Sequence, residues 1–184
     1  SDDHAIGHIN APVTLVEYGD FQCPYCRSAE PAVMRMLKRF GDQVRFVFRN
    51  FPLSELHPHA AHAAEAAESV AVHAGEKAYW RMHHMLFAHQ QESAEALDDE
   101  HLVRYASQAG ANAAQVRTDL ESGIRAPRVR SDFVSGVRSG VNGTPAFFIN
   151  GIRFDGDWTD PRIFEAALQQ ASTATLSEHV GLGR

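Results

Sequence analysis

Cysteine is scarce in this chain of 184 residues, which has two, at positions 23 and 26. A secreted domain held together by disulfides would need more cysteines at wider spacing, so a structural disulfide framework is excluded. Because 44% of the residues are hydrophobic, the chain can build a full core without such cross-links. Its length predicts one domain, or one domain that carries a sizeable insertion.

Long apolar runs and clusters of basic residues are also missing. No apolar run approaches the length of a membrane-spanning helix, so we expect no stable membrane association. The formal net charge is −6 and no basic stripe is present, which argues against nucleic acid as a partner. No signal peptide precedes the first predicted strand. The polar start at residues 1–4 could be the remainder of a trimmed export signal, a remnant of an expression tag or simply a polar N-terminus.

The first 54 residues have the pattern of a β–α–β unit. Residues 13–18 and 44–48 predict two strands. Between them, apolar residues at helical spacing predict a helix that begins at the Cys23-Pro24 step and ends at Gly41. This order predicts neighbouring parallel strands joined by a crossover helix.

The middle of the chain, residues 55–125, predicts a helical insertion because β-branched runs vanish there. Strand signals return after it, so residues 1–54 and 126–184 are interpreted as one α/β domain. In the insertion, Gly75 divides two helices, and Asp98 or Asp99 and then Asn112 cap two more. The last part predicts a helix over 127–139, strands over 146–149 and 152–154 joined by an Asn-Gly hairpin, and a final helix capped by Asp160.

The motif Cys-Pro-Tyr-Cys at residues 23–26 is the strongest functional signal. A thiolate, not a thiol, attacks a disulfide, and a helix N-terminus lowers the pKa of a cysteine placed there. Cys23 is therefore interpreted as the nucleophile, and Cys26, one turn later, as the resolving cysteine. Half of a zinc site and two buried structural thiols are the alternatives, but a strand, a short loop and a Cys-X-X-Cys opening a helix favour redox chemistry.

Glu17 lies on the predicted strand six residues before Cys23, on the same face as Val13 and Leu15. A carboxylate buried there would have a raised pKa and could relay a proton to or from Cys26. A glutamate that reaches solvent from the strand end is the alternative. The eleven histidines lack acidic or cysteine partners at ligand spacing, so no metal site is predicted.

The chain resembles the DsbA-like branch of the thioredoxin superfamily, a family of bacterial thiol–disulfide oxidoreductases. Three stretches carry the resemblance: residues 17–26, residues 51–53 with 57–60, and residues 143–151. The resemblance implies a thioredoxin-like α/β fold with a helical insertion domain, in agreement with the pattern above. It leaves the compartment open between the bacterial periplasm and the cytoplasm.

The resemblance also implies roles for individual residues. Cys23 matches the family's exposed nucleophile, Cys26 its buried partner and Glu17 the acid beneath the active site. Pro145 matches a cis-proline that faces the two sulfurs, and the backbone of Thr144 pairs with an extended substrate. Pro24 and Tyr25, between the cysteines, are assigned to substrate binding. Strongly oxidising members carry Pro-His there, and Tyr25 offers the thiolate no cationic imidazole.

The sequence thus predicts an enzyme that oxidises, reduces or isomerises disulfides through Cys23 and Cys26. It needs no metal or organic cofactor, only the redox-active cysteine pair. Its partners are expected to be cysteine-containing proteins or peptides, with a redox partner protein or glutathione that resets the pair. A glutathione-linked reductase or transferase on the same fold, and a non-catalytic peptide-binding module, are the alternatives.

Overall fold

The structure is a computed structural model that describes residues 3–181, with side chains as far as residue 175. Within these residues the strands are β1 His4–Ile6, β2 Val13–Gly19, β3 Val44–Asn50, β4 Ala146–Ile149 and β5 Ile152–Phe154. The α-helices are α1 Pro24–Phe40, α2 Ala60–Ala74, α3 Glu76–His89, α4 Asp99–Ala109, α5 Ala113–Ser122, α6 Ala126–Arg138 and α7 Pro161–Gly181.

The described strands form one sheet in the order β1-β3-β2-β4-β5. The β–α–β reading of the N-terminal part is confirmed in that β2 and β3 are neighbours and α1 connects them. β1 was not predicted, so the strand that the sequence predicts first, over residues 13–18, is β2 of the structure. At three residues β1 is too short to show a period, and it pairs antiparallel with β3 through His4 opposite Phe48.

The C-terminal hairpin was predicted correctly. β4 and β5 pair antiparallel, and both residues of the intervening Asn-Gly turn have positive φ, 50° for Asn150 and 80° for Gly151. Asn and Gly tolerate this left-handed conformation, which a two-residue hairpin requires. α7 then packs on β4, where Phe164 lies 5.1 Å from Phe147 between ring centroids. Asp160 caps α7 by accepting a hydrogen bond from the Arg162 N–H at 2.9 Å.

Two compact units divide the chain. One contains the strands and takes in the chain up to Tyr18, Ser28–Arg49 and the chain from Pro145 onward; the other is Gly19–Arg27 with Asn50–Thr144. The second unit is thus longer at both ends than the insertion predicted over residues 55–125, and it includes the cysteine motif. The predicted domain boundaries stay a prediction.

The helices of the second unit pack around α2, whose alanines allow close approach of α3, α4, α5 and α6. The predicted division at Gly75 and the predicted caps are confirmed: Asp98 accepts a hydrogen bond from the His101 N–H, and Asn112 from the N–H groups of Ala114 and Gln115. The aromatic and methionine residues of α3 are largely buried, as expected for core. No described helix is long and apolar enough to cross a membrane.

A buried network of charged and polar side chains lies in this unit. The Asn50 side-chain amide donates to Glu68 Oε1 at 2.7 Å and to Asp132 Oδ2 at 3.2 Å. Arg128 bonds to Asp132 Oδ1, and its Nε lies 3.8 Å from Glu68 Oε2. Burial raises the pKa of Asp132, while the hydrogen bonds from Arg128 and from the Asn50 backbone N–H act in the opposite direction. Arg128 therefore compensates two carboxylates that are removed from water.

We expect Arg128→Met to lower the free energy of unfolding by about 3–5 kcal/mol, because it leaves buried charges without their cation. Arg138→Met, at an exposed position of the same helix, should change it by less than about 0.5 kcal/mol. Urea unfolding of both variants is the measurement. Equal stability of the two variants would show that Arg128 has no such role.

Candidate active site

The two cysteines lie where a loop becomes a helix. Cys23 immediately precedes α1, and Pro24 is its first residue, where the missing N–H of proline is no loss. The Cys23 N–H donates to the Asp20 carbonyl at 3.0 Å, and the Arg27 N–H donates to the Cys23 carbonyl at 3.2 Å. The Cys23 side chain is thereby held at the N-terminal end of α1, as predicted.

Several donors lower the pKa of the Cys23 thiol to about 5. The largest contribution is a hydrogen bond from the Cys26 side chain; burial acts against it, and the Thr144 side chain and the backbone N–H groups of Cys26 and Tyr25 add to it. A thiol with this pKa is almost fully ionised at neutral pH. The site therefore holds a ready thiolate, which is the nucleophile of disulfide exchange.

Cys26 is fully buried, and both cysteines are free thiols in this structure. The Asp20 backbone N–H lies 3.4 Å from Cys26 Sγ and donates to it. Cys26 is thus placed behind Cys23, where it supports the thiolate and can attack a mixed disulfide formed at Cys23.

The expectation that Cys23 is exposed is wrong for this structure, in which the residue is only 3% exposed. The reason is that the Thr144 carbonyl lies 3.5 Å from Cys23 Sγ and the buried Gln90 side chain donates to the Cys23 carbonyl at 3.2 Å. Tyr25 is 67% exposed, and Pro24 is exposed as well. Pro24 and Tyr25 are therefore the exposed residues of the motif, while both sulfurs are buried.

Thr144 contributes both its backbone and its side chain. Its carbonyl lies 3.5 Å from Cys23 Sγ and accepts a hydrogen bond from the thiol when Cys23 is protonated. Its hydroxyl is buried, lowers the pKa of Cys23 and has no other hydrogen-bond partner among the described residues. The structure thus brings Thr144 to Cys23, and the hydroxyl adds a role that the sequence did not predict.

Asp20 and His57 are site residues that sequence reasoning missed. The Asp20 carboxylate is fully buried; Oδ1 accepts from the Gln22 N–H at 2.7 Å, and Oδ2 accepts from the Leu53 N–H at 2.9 Å and bonds His57 Nδ1 at 2.7 Å. Asp20 therefore fixes the loop before the cysteines to the segment after β3. Both residues lie in the stretches that carry the family resemblance, which is the signal that could have found them.

The end of α3 holds the same loop from another direction. The Gln90 amide donates to the Phe21 carbonyl at 2.7 Å, and the Phe21 ring packs against Phe87 with 5.2 Å between centroids. Phe21 is 1% exposed, so the loop is anchored by a buried ring as well as by hydrogen bonds. These contacts restrict the position of Cys23.

Glu17 and Pro145 belong to the unit that contains the sheet. Glu17 is 3% exposed, on the buried face that β2 also presents through Val13 and Leu15, so the predicted burial is confirmed. It pairs with Phe147 of β4, and Pro145 directly precedes that strand. The catalytic roles of both residues and the cis geometry of Pro145 stay predictions.

Comparison with known proteins places the chain in a family. The family model described as Thioredoxin matches residues 1–170. The chain belongs to the thioredoxin family. Its fold is that of the DsbA-type thiol–disulfide oxidoreductases, so the predicted family and the predicted α/β fold with added helices are confirmed.

Two solved structures and one curated relative illustrate the likeness. The chain is similar to BdbD from Bacillus subtilis, with 23% identity, a TM-score of 0.84 and 93% of each chain covered. It is also similar to a thioredoxin-like oxidoreductase from Silicibacter pomeroyi, with 26% identity, a TM-score of 0.73 and coverage of 95% of this chain and 92% of that one. It is 40% identical over 179 residues to a Na⁺/H⁺ antiporter, NhaA 3, from Salinispora tropica. That match covers 97% of this chain and 26% of the antiporter, so the chain spans about a quarter of the curated relatives' length.

Proposed function

We propose that this chain exchanges disulfides with protein substrates through Cys23 and Cys26. The observation that carries the proposal is a buried cysteine pair at the start of α1, in which the pKa of Cys23 is lowered to about 5. Family membership and a DsbA-type fold support it. No metal or organic cofactor is required, because the pair itself carries two electrons.

In the reducing direction, the Cys23 thiolate attacks one sulfur of a substrate disulfide, forms a mixed disulfide and releases the first substrate thiolate. Cys26 then loses its proton and attacks the Cys23 sulfur, which releases the second substrate thiolate. The protein ends as the Cys23–Cys26 disulfide, and two electrons have passed to the substrate. The oxidising direction is the reverse, and a redox partner protein or glutathione resets the pair.

Substrate binding is proposed for the surface around the motif. The exposed side chains of Pro24 and Tyr25 form an apolar contact surface beside Cys23, and the Thr144 backbone is available to pair with an extended chain. A peptide laid along Thr144 would bring its disulfide to the Cys23 sulfur, because the Thr144 carbonyl already lies 3.5 Å from that sulfur.

We also propose that Glu17 relays the proton that Cys26 loses or gains. Because the Glu17 carboxylate is buried on β2, it has few water molecules with which to exchange protons. It is therefore suited to transfer a proton to or from a buried thiol such as Cys26. Glu17→Gln should slow the steps that change the protonation of Cys26 by about 10²-fold, with little loss of fold. Stopped-flow exchange rates over a pH series measure this, with the exposed Asp42→Asn as the control. Unchanged rates in Glu17→Gln would leave Glu17 a structural residue.

The reduction potential of the Cys23–Cys26 pair is expected to be intermediate, at roughly −150 to −240 mV. It would lie between the potentials of the strong oxidants and those of the reductants of the family. The thiolate is stabilised by hydrogen bonds, but Tyr25 supplies no positive charge. Tyr25→His should raise the potential by adding a cation beside the thiolate, and Tyr25→Phe should leave it unchanged. Equilibration with glutathione buffers gives these values. A more reducing Tyr25→His variant would show that the dipeptide does not set the poise.

The proposal is tested by comparing electron donors and acceptors. A protein disulfide oxidoreductase should exchange faster with a reduced, unfolded protein that has paired cysteines than with glutathione at equal thiol concentration. Faster turnover with glutathione would favour the glutathione-linked alternative. Full biological activity of Cys23→Ser would instead favour a non-catalytic peptide-binding module.

A Na⁺/H⁺ antiporter is a second candidate for the partner. The observation that favours it is that the curated relatives bear that name and that this chain matches about a quarter of each. In this case the exchange reaction would act on cysteines of the antiporter. The test is to incubate Cys26→Ser protein with vesicles that carry the Salinispora tropica antiporter in an oxidised state. A disulfide-linked adduct at a cysteine of the antiporter outside the quarter that this chain matches supports the candidate, and its absence removes it.

A further inference from the structure

A groove in the helical unit lies outside the cysteine site. It has a volume of about 1030 Å³ and is bounded by residues 52–56, the beginning of α2 and one face of α6. Its walls are mainly apolar, with Phe133 and Val134 on the α6 side. Leu56 stands at the rim and is 73% exposed, so it extends the open apolar surface of the groove walls.

One charged side chain in this groove is buried. Glu65 lines it from α2, one turn after Ala61, and is only 7% exposed. Its Oε2 is buried and has no hydrogen-bond partner among the described residues. Burial raises the pKa of Glu65, with His62 acting in the opposite direction and Asp99 in the same one. A carboxylate oxygen kept from water without a donor is costly, and a ligand that donates a hydrogen bond to it would remove that cost.

We propose that this groove binds a segment of a polypeptide substrate in which a lysine or arginine is flanked by apolar residues, the cation pairing with Glu65. This assignment rests on the proposed disulfide exchange, since it names the kind of substrate that the site takes. The cation would supply the donor that Oε2 lacks, and the flanking side chains would cover Leu56 and Val134. Arg130 at the rim is exposed, so water screens its repulsion of the incoming cation.

Two observations favour a polypeptide over a small amine. The groove is open and slightly above the range of about 300–1,000 Å³ that encloses most small ligands. Its wall also continues into the cysteine site, because Leu53 of that wall donates its N–H to Asp20, whose own N–H donates to Cys26 Sγ. A segment bound in the groove would therefore lie against a part of the chain that is tied to the cysteines.

The test uses labelled, cysteine-free hexapeptides, so that binding is measured without disulfide exchange. One peptide carries a single lysine between leucines, and the second carries norleucine instead. Fluorescence anisotropy with the full chain should give at least about tenfold tighter binding of the lysine peptide, a difference equal to ~1.4 kcal/mol. Glu65→Gln should abolish that preference, and Glu95→Gln, an exposed position outside the groove, should retain it.

The unfolding temperature of the Glu65→Gln variant distinguishes a binding role of Glu65 from a structural one. If Glu65 serves a ligand, Glu65→Gln removes an uncompensated charge and should unfold at the same temperature as the wild type or about 2–4 °C higher. Unfolding several degrees lower would make Glu65 a structural residue and overturn the proposal. Equal binding of both peptides by the wild type would overturn it too, and so would binding of hexylammonium as tight as that of the lysine peptide. None of these outcomes bears on disulfide exchange, which is assayed separately with cysteine-containing substrates.

Discussion

The Cys23→Ser variant is expected to lose disulfide exchange almost completely, by about 10³-fold or more, because a serine hydroxyl is not ionised at neutral pH and cannot displace a thiolate. The first attack depends on Cys23, since its sulfur is the one that the Cys26 side chain, the Thr144 side chain and two backbone N–H groups stabilise as an anion. Reduction of a model protein disulfide, followed by the appearance of free thiols, is the measurement.

The Cys26→Ser variant tests whether Cys26 resolves the mixed disulfide formed at Cys23. It keeps the attacking sulfur but lacks the thiol that resolves the intermediate, so mixed disulfides with substrates should accumulate on Cys23. Non-reducing electrophoresis and mass spectrometry of the adduct identify the linked cysteine. An adduct that forms on Cys26 in a Cys23→Ser background as fast as the Cys23 adduct forms in Cys26→Ser would reverse the two assignments.

The stability of the reduced protein should depend on pH through Cys23. Its pKa is about 5 in the folded protein against an ordinary value of 9.0, so the fold prefers the thiolate. This contribution is fully present above the ordinary pKa and is lost as the pH falls through about 5. It amounts to about 3 kcal/mol at pH 7 and should fall by about 2 kcal/mol between pH 7 and pH 5.

The oxidised protein has no Cys23 thiolate and should lack this dependence. The difference in free energy of unfolding between the reduced and oxidised forms, measured by urea titration at several pH values, therefore isolates it. Asp132, Asp119 and the other shifted carboxyls affect both forms and cancel in the difference. The Cys23→Ala variant, which cannot form the disulfide and has no Cys23 thiol, should also lack this component of the pH dependence. A constant difference between the reduced and oxidised wild type would contradict the role given to Cys23.

Much of the fold could be predicted from local patterns. Strand periodicity, the Asn150-Gly151 turn and the caps at Asp98, Asn112 and Asp160 each depend on a few neighbouring residues, and the structure confirms them. β1 could not be predicted, because its three residues gain stability from pairing with distant β3. The apolar spacing of Ile163, Phe164 and Leu168 predicts a helix there but not its end at Gly181, since the later residues lack a strong helical period.

In the candidate site, too, features that depend on neighbouring residues were predicted, and contacts between residues far apart in the chain were not. The position of Cys23 before α1 follows from the motif and Pro24, and both were predicted. The largest contribution to the low pKa of Cys23 comes from Cys26, which is close in sequence. The partners that bury Cys23 come from Gln90 and from Thr144, which is 121 positions away and also lowers that pKa. The Asp20–His57 bond likewise joins residues 37 positions apart. Such contacts depend on the folded arrangement of helices, which spacing in one sequence does not reveal.

The central claim is that the start of α1 holds Cys23 as a thiolate supported by Cys26 and Thr144. The most direct test is the ultraviolet thiolate absorbance of the reduced protein as a function of pH, with alkylation and mass spectrometry to assign the transition. We expect one transition from Cys23 near the pKa of about 5, with Cys26 protonated to a much higher pH. A Cys23 pKa at or above about 8.5, the value of a free cysteine, would contradict the account.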